Sequence, residues 1–352
     1  MSRVYLDWNA SAPLRPEARA AMVEALDLVG NPSSVHAEGR KLRGMIERAR
    51  GQVAELVGCK PSEVVFTSGA TEAASVLRHM VPGCGVVVDA TAHDCLWAHQ
   101  TGPGETSTTL AMGLANSETG VLTTPEKGED GWTYGAVACD WLLLDVVQAV
   151  GRVPFSFHWS GADFAILSAH KLGGPKGVGA LIVREGFDFE ALLLGGGQEL
   201  GRRSGTENAA GIAGFGAAAA AALAELNAGV WAEVEKIRTI LENALASREK
   251  EIIFVGNKCE RLPNTSCFVT PGWKGETQVM QMDLAGFAVS SGSACSSGKV
   301  KVPRVLNAMG LDAGEAECAL RVSLGPTTTE AEVMRFAEAW GTQREKARRR
   351  AA

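Results

Sequence analysis

The chain has 352 residues, 46% of them hydrophobic and 21% charged, the make-up of a core-forming globular protein and not of a disordered or fibrous one. That length exceeds one simple module and predicts two packed domains, or a large domain with a smaller one attached. Thirty-four basic against forty acidic side chains give a net charge of −6, which removes any global electrostatic case for a nucleic-acid partner.

In chain order, Met1 to Trp8 enters a strand-like pattern at once, without the layout of a leader peptide. Ser62-Glu-Val-Val-Phe-Thr-Ser-Gly reads as strand then turn, with helix from Thr71. Gly85-Val-Val-Val-Asp, Trp141-Leu-Leu-Leu-Asp145, Phe164-Ala-Ile-Leu-Ser168 and Gly179-Ala-Leu-Ile-Val-Arg184 are short, nearly all-apolar strands. Such strands, separated by helical patterns, predict an α/β fold with a largely parallel sheet covered on both faces, and ligands in such sheets sit beyond the carboxyl ends of the strands. Asn208 to Ala228 is an alanine-rich helix that Gly229 breaks before a second helix from Trp231 to Ser247. Strand patterns follow at Ile252-Ile-Phe-Val and Thr265-Ser-Cys-Phe-Val, and a helix near Glu276 to Leu284. The expected division is a large domain over residues 13–228 and a small one built from 1–12 and 229–352.

Gly211 to Leu226 is mostly alanine and reads as too weakly apolar for a membrane span, so no membrane partner is expected. The basic run Arg344 to Arg350 reads as a solvated helix end. Eight cysteines, at 59, 84, 95, 139, 259, 267, 295 and 318, form no small-domain framework, so free thiols in the cytoplasm are expected. Cys84, His93, Cys95 and His99 lie close together, but their spacing fits no closed zinc pattern, and no metal is expected.

Four segments carry chemistry. Ser168-Ala-His-Lys-Leu-Gly-Gly-Pro-Lys-Gly sets Lys171 directly after a strand, a position suited to a semi-buried amine that forms a Schiff base, though a solvated loop lysine would look the same in isolation. Thr67-Ser-Gly-Ala-Thr-Glu opens a helix with small and hydroxylated residues, where backbone N–H groups suit a phosphate, and it lacks the Walker pattern. Asp145 closes an apolar strand and is followed by Gln148; a carboxylate there can pair with a protonated pyridine nitrogen. Gly195-Gly-Gly-Gln-Glu-Leu-Gly-Arg-Arg-Ser-Gly-Thr is a basic, hydroxyl-bearing loop and a candidate for a second phosphate contact.

Together with Tyr5-Leu-Asp-Trp-Asn-Ala, Asn31-Pro-Ser-Ser-Val-His, Asn116-Ser-Glu-Thr-Gly, Arg203-Ser-Gly-Thr-Glu-Asn, Ser290-Ser-Gly-Ser-Ala-Cys-Ser-Ser-Gly and Arg321-Val-Ser-Leu-Gly, these segments resemble, in order and over nearly the whole chain, the NifS/IscS-type cysteine desulfurases. These are class V aminotransferase-like enzymes of the fold-type I pyridoxal-phosphate group. The resemblance implies a large domain with a mostly parallel seven-stranded sheet plus a smaller α+β domain. It implies pyridoxal 5'-phosphate held by Lys171 as a Schiff base, its phosphate bound by Ala70, Thr71, Ser168 and His170, with Thr206 reaching across from the other subunit of a homodimer. Asp145 would pair with the ring nitrogen, Gln148 with the ring hydroxyl, and His93 would stack on the ring and assist proton transfer. Asn116, Ser117 and Arg321 would bind the substrate, Arg321 gripping its carboxylate. Cys295, among small residues in Ser290-Ser-Gly-Ser-Ala and Ser296-Ser-Gly, would be the sulfur nucleophile, its thiolate acting in a mobile loop.

The implied reaction converts L-cysteine to L-alanine and leaves the sulfur as a persulfide on Cys295 for transfer to an acceptor protein serving iron–sulfur cluster or thio-cofactor synthesis. A selenocysteine lyase or an aminotransferase on the same scaffold is the alternative; an aminotransferase would not need Cys295. Two departures stand out. Ser117 occupies a position where the family carries asparagine, and a hydroxyl offers a different donor and acceptor set. The stretch from Gly120 to Asp145 is short, with Thr124-Pro-Glu-Lys-Gly-Glu-Asp-Gly-Trp reading as a turn where relatives carry a helix, which predicts a thinner face on the large domain.

Overall fold

The computed structural model describes residues 3–128, 131–292 and 303–351. The chain divides into two compact units: a smaller one of Met1–Ser11, Ala115–Leu122 and Gly229–Ala352, and a larger one of Ala12–Leu114 and Thr123–Ala228. The 115–122 segment, expected in the large domain, belongs to the small one because its hydrogen bonds go there. Leu122 N–H donates to the Glu260 carbonyl at 2.9 Å, and Leu262 N–H donates to that of Gly120 at 2.7 Å.

After β1 (Val4–Tyr5), which pairs within the small unit, the large unit opens with α1 (Pro16–Leu26) and α2 (Ala37–Val57). There follow β2 (Val64–Thr67), α3 (Ala70–Ala74), β3 (Cys84–Val88), α4 (Asp94–Trp97) and β4 (Ser107–Gly113). Next come β5 (Glu126–Gly128), β6 (Gly131–Tyr134), β7 (Val137–Cys139) and β8 (Trp141–Asp145). The unit closes with α5 (Phe157–Ser160), β9 (Phe164–Ser168), β10 (Gly179–Val183) and α6 (Ala209–Asn227).

The main sheet runs β2-β10-β9-β8-β4-β3. β3, β4, β8 and β9 are mutually parallel, and β10 is antiparallel to both of its neighbours. Among the described residues it has six strands, not the expected seven. Where another edge strand would lie beyond β3, Gly102 forms a single bridge to Val86, and the following Pro103 lacks the N–H a ladder needs. Side chains take over instead. Thr101 Oγ1 accepts from Val86 N–H at 2.8 Å and Gln100 Oε1 from Val88 N–H at 2.6 Å.

Both sheet faces are packed, which is why these strands are apolar at successive positions. On one face Val64, Phe66, Leu142, Leu144, Ala165, Leu167, Ala180 and Ile182 meet α2 and α6 residues such as Val53, Ile212 and Phe215. On the other Val65, Leu143, Phe164, Ile166 and Leu181 meet Ala73, Val76 and Leu96.

By length and mean hydropathy, 1.6 over its most apolar window, α6 is apolar enough to cross a membrane, so its alanines do not make it as weakly apolar as the sequence implies. Half of that window is buried in the large unit. Its small residues admit close packing: a Cβ on Gly216 would lie 2.5 Å from Ala49 Cα of α2.

The short Gly120–Asp145 stretch is more than the expected turn. β5, β6 and β7 form an antiparallel sheet of their own, and Trp132, 7% exposed, joins the core with Cys139 opposite it. A bulky indole on a three-stranded patch thus covers the face predicted to be thin.

In the small unit, α7 (Val230–Arg248) follows Gly229, whose φ of 72° gives the left-handed break between two long helices. β11 (Ile253–Phe254), β12 (Thr265–Val269), α8 (Gly275–Leu284), β13 (Phe287–Ala288) and β14 (Ser290–Ser291) lead to α9 (Arg304–Ala308), α10 (Ala313–Glu317), β15 (Ala319–Ser323) and α11 (Glu330–Ala351). The sheet order is β11-β12-β15-β14, and β1 pairs in parallel with β13. The basic run on α11 is not wholly solvated: Arg344, 7% exposed, donates to Glu249 at 2.6 Å, and Arg348 donates to the same carboxylate at 2.8 Å. Their four-residue spacing puts both on one helix face against that buried acid.

Candidate active site

The large unit gathers most of the expected cofactor residues at the carboxyl ends of its strands. β9 ends at buried Ser168, and Ala169–Lys171 form a single tight turn closed by Leu172 N–H on the Ala169 carbonyl. Ala12 N–H donates to the His170 carbonyl at 2.9 Å, which anchors that turn within the unit. Burial, with the positive charges of Lys171 and Lys176, drives the His170 pKa down to about 4, so this imidazole is neutral near pH 7 and offers a donor and an acceptor without a charge.

β8 ends at Asp145, whose Oδ1 accepts from Val147 N–H at 3.0 Å. Burial raises the Asp145 pKa, while the charges of His93 and Lys171 and the Val147 N–H pull it back. That mutual influence places the carboxylate, the imidazole and the amine in one neighbourhood. His93 caps α4: its Nδ1 accepts from Cys95 N–H at 3.1 Å, which leaves the proton of the neutral ring on Nε2. The Cys95 thiol is held protonated, its pKa raised by burial and by Asp145. Cys59 and Cys267 are likewise pushed up to about 12, chiefly by burial.

Ala70 and Thr71 open α3. The backbone just before them is hemmed in, since a Cβ on Gly179 of β10 would lie 2.7 Å from Gly69 Cα. Glu72 organises this turn: it accepts from Ser68 N–H at 2.7 Å and from Arg203 Nε at 2.8 Å. Burial acts against ionisation of Glu72, yet Arg203 and Ser68 outweigh it and its pKa is lowered. Arg203 belongs to the loop that ends in exposed Thr206. That loop is tied down a second time by Glu199, whose carboxylate receives both Nη atoms of Arg50 at 2.7 and 2.9 Å and the Phe66 N–H at 2.8 Å. Glu199 and Leu200 both adopt positive φ, 49° and 59°, without being glycine.

In the small unit, Arg321 on β15 is 4% exposed. Its Nη2 donates to Asp7 Oδ1 at 2.8 Å and its Nη1 to the Ser117 carbonyl at 2.9 Å, while its buried Nε has no hydrogen-bond partner among the described residues. A buried guanidinium with an unanswered Nε–H suits an incoming carboxylate. Asp7 Oδ2 in turn accepts from Ser290 Oγ at 2.8 Å. Ser117 meets Arg321 through its backbone, and Asn116 spends its side-chain oxygen on its own turn, accepting from Glu118 N–H, Thr119 N–H and Thr119 Oγ1. Cys295 lies outside the described residues.

The donor set of the large unit fits pyridoxal 5'-phosphate: a strand-end amine, a carboxylate for the ring nitrogen, a buried amide (Gln148, 3% exposed), and a hydroxyl and neutral imidazole beside a helix start. Three residues with a bearing on the site do not stand out in the sequence. Asp7 and the Arg50–Glu199 pair act across long separations. Arg152, which touches Gln148, was readable from its four-residue spacing.

The sequence matches the profile for Aminotransferase class-V over residues 4–101 and 105–336. It is 38% identical to a cysteine desulfurase of Cereibacter sphaeroides, covering 96% of this chain and 95% of that protein. It is 33% identical to the cysteine desulfurase IscS of Dictyoglomus turgidum, over 93% and 91% respectively. Among solved structures, the NifS-like protein of Rickettsia africae superposes with a TM-score of 0.85 at 28% identity, covering 97% of this chain and 99% of that one. The profile and the relatives agree: the chain belongs to the class-V aminotransferase family, in its NifS/IscS-type cysteine desulfurase branch.

Proposed function

We propose that this enzyme binds pyridoxal 5'-phosphate in its large unit and desulfurates L-cysteine to L-alanine, with Cys295 receiving the sulfur. The observation that carries it is the single neighbourhood of Lys171, Asp145 and His93 at the strand ends. When bound, the cofactor supplies an electron sink for the bond changes at the substrate's Cα. Lys171 would hold it through its amine, and the same amine would move the substrate's Cα proton. Asp145 keeps a proton on the ring nitrogen, an assignment favoured by the charges it already shares with His93 and Lys171. His93, with its proton on Nε2, is the second proton carrier. Ala70, Thr71, Ser168 and His170 hold the phosphate, joined by the partner subunit's Thr206 in a homodimer, and the clamped loop before that threonine supports such a role.

Arg321 takes the substrate carboxylate, its Nε–H and Asp7-braced fork being preset for a planar anion. The Cys295 thiolate attacks the substrate sulfur, a sulfur–sulfur bond replaces the bond to Cβ, and the three-carbon remainder leaves as alanine. The persulfide passes to a thiol of an acceptor protein. Free thiols among the described cysteines support residence in the cytoplasm.

The test is alanine and sulfide release from L-cysteine. Cys295→Ala is expected to abolish both while keeping the cofactor's visible absorbance, and Lys171→Ala to abolish the absorbance itself. Alanine formation at the parental rate by Cys295→Ala would overturn the sulfur route.

A further inference from the structure

Arg152 is a buried cation with no part in the roles described so far; it lies seven residues past the strand-end Asp145 and is 4% exposed. Its Nη1 donates to the Gln148 carbonyl at 3.1 Å and also to Gln148 Oε1, and its Nη2 donates to the Lys171 carbonyl at 3.2 Å. A guanidinium carries donors and no acceptor. The amide atom of Gln148 that faces it therefore has to be the oxygen, and the amide NH2 group is turned to the other side. A glutamine without such a neighbour chooses between two orientations of nearly equal shape, one presenting a donor and the other an acceptor. Arg152 removes that choice, and the Lys171 carbonyl, on the turn that bears the imine-forming amine, anchors the guanidinium's second arm.

We propose that Arg152 is a positioning residue that locks the Gln148 amide with its NH2 presented as a donor to the ring oxygen of the bound cofactor. At that position an amide NH2 would bind a deprotonated ring oxygen, and an amide oxygen would repel it. This inference rests on the cofactor reading above, and the two can fail separately: wild-type protein that does not take up pyridoxal 5'-phosphate sinks that reading, whereas the inference is judged on differences between variants that do.

The experiment is titration of cofactor-free full-length protein with pyridoxal 5'-phosphate, following absorbance, in the wild type, Arg152→Met, Gln148→Leu and the double variant. Arg152→Met is expected to raise the Kd roughly tenfold, the effect of one well-placed hydrogen bond. In the Gln148→Leu background the same substitution is expected to change it less than about twofold, because the group it orients is gone. A Kd for Arg152→Met within twofold of wild type overturns the proposal. So does an undiminished tenfold loss in the Gln148→Leu background, which would make the arginine a support of the fold. Gln148→Glu serves if Arg152→Met does not fold: a carboxylate offers Arg152 its preferred partner but presents an acceptor to the ring oxygen. It is expected to weaken binding at least as much, and unchanged affinity would overturn the proposal.

Discussion

Replacing Arg50 by methionine keeps the length of the side chain and removes its charge. Glu199, whose side chain is 2% exposed, would then hold a buried carboxylate with the Phe66 N–H at 2.8 Å as its donor. Removing one member of a buried pair costs about 3–5 kcal/mol, because the remaining charge is desolvated without compensation. The Val64 carbonyl also loses its 2.8 Å bond from Nη1, worth roughly 1 kcal/mol. Phe66 loses a guanidinium 4.8 Å from its ring centre, about 0.5–1 kcal/mol. The total, about 4.5–7 kcal/mol, corresponds to a fall in Tm of roughly 9–28 °C for a unit of this size. Thermal melts followed by circular dichroism test it, with Arg50→Met/Glu199→Leu as the control. Removing both charges should cost less than removing Arg50 alone, since no bare carboxylate remains. A shift below about 3 °C for Arg50→Met, or a double variant less stable than the single one, would refute the assignment of this pair as the anchor of the loop before Thr206.

Asp7→Asn removes the charge that braces Arg321, and it is expected to raise the KM for cysteine about tenfold with kcat changed less than threefold; an unchanged KM would show that Arg321 needs no brace. The depressed pKa of His170, about 4 against an ordinary 6.5, means the unfolded chain takes up the proton first as pH falls, so stability decreases from pH 6.5 toward pH 4. Discounted for the partial exposure of the ring, the loss over that window is about 1–2 kcal/mol, and His170→Asn should flatten it in melts at pH 7 and pH 4.5; equal slopes would contradict the assignment. Ser117→Asn restores an amide at the position where this chain departs from its family, while the backbone carbonyl that binds Arg321 stays in place. Steady-state assays should show a severalfold rise in kcat/KM, and identical kcat and KM would show that the departure is silent.

The strand ends were legible because an apolar run that stops at a carboxylate or a serine marks both the sheet and its rim; Asp145 and Ser168 end β8 and β9 in this way, and Lys171 lies in the turn that follows. What escaped depends on distant pairing. Residues 115–122 sit in sequence between strands of the large unit, yet their partners are Glu260, Leu262 and Arg321, and no local pattern announces that. The direction of β10 escaped for another reason: an apolar run reads the same whether its strand is parallel or antiparallel. In the meander, Glu126, Lys127 and Gly128 are exposed and charged or flexible, so they look like a turn, and only buried Trp132 betrays a covered surface. Arg50 and Glu199 lie 149 residues apart, beyond the reach of any periodicity.

The border of the main sheet at β3 has a consequence for association. A rim strand of valines with outward N–H groups is a template for a foreign strand, and proteins blunt such rims with bulges, prolines or charges. Here the hydroxyl of Thr101 and the amide of Gln100 occupy the donors of Val86 and Val88 one by one. The fold can thus forgo a strand without offering an adhesive flank to its neighbours, and Thr101 and Gln100 act as guards against aggregation.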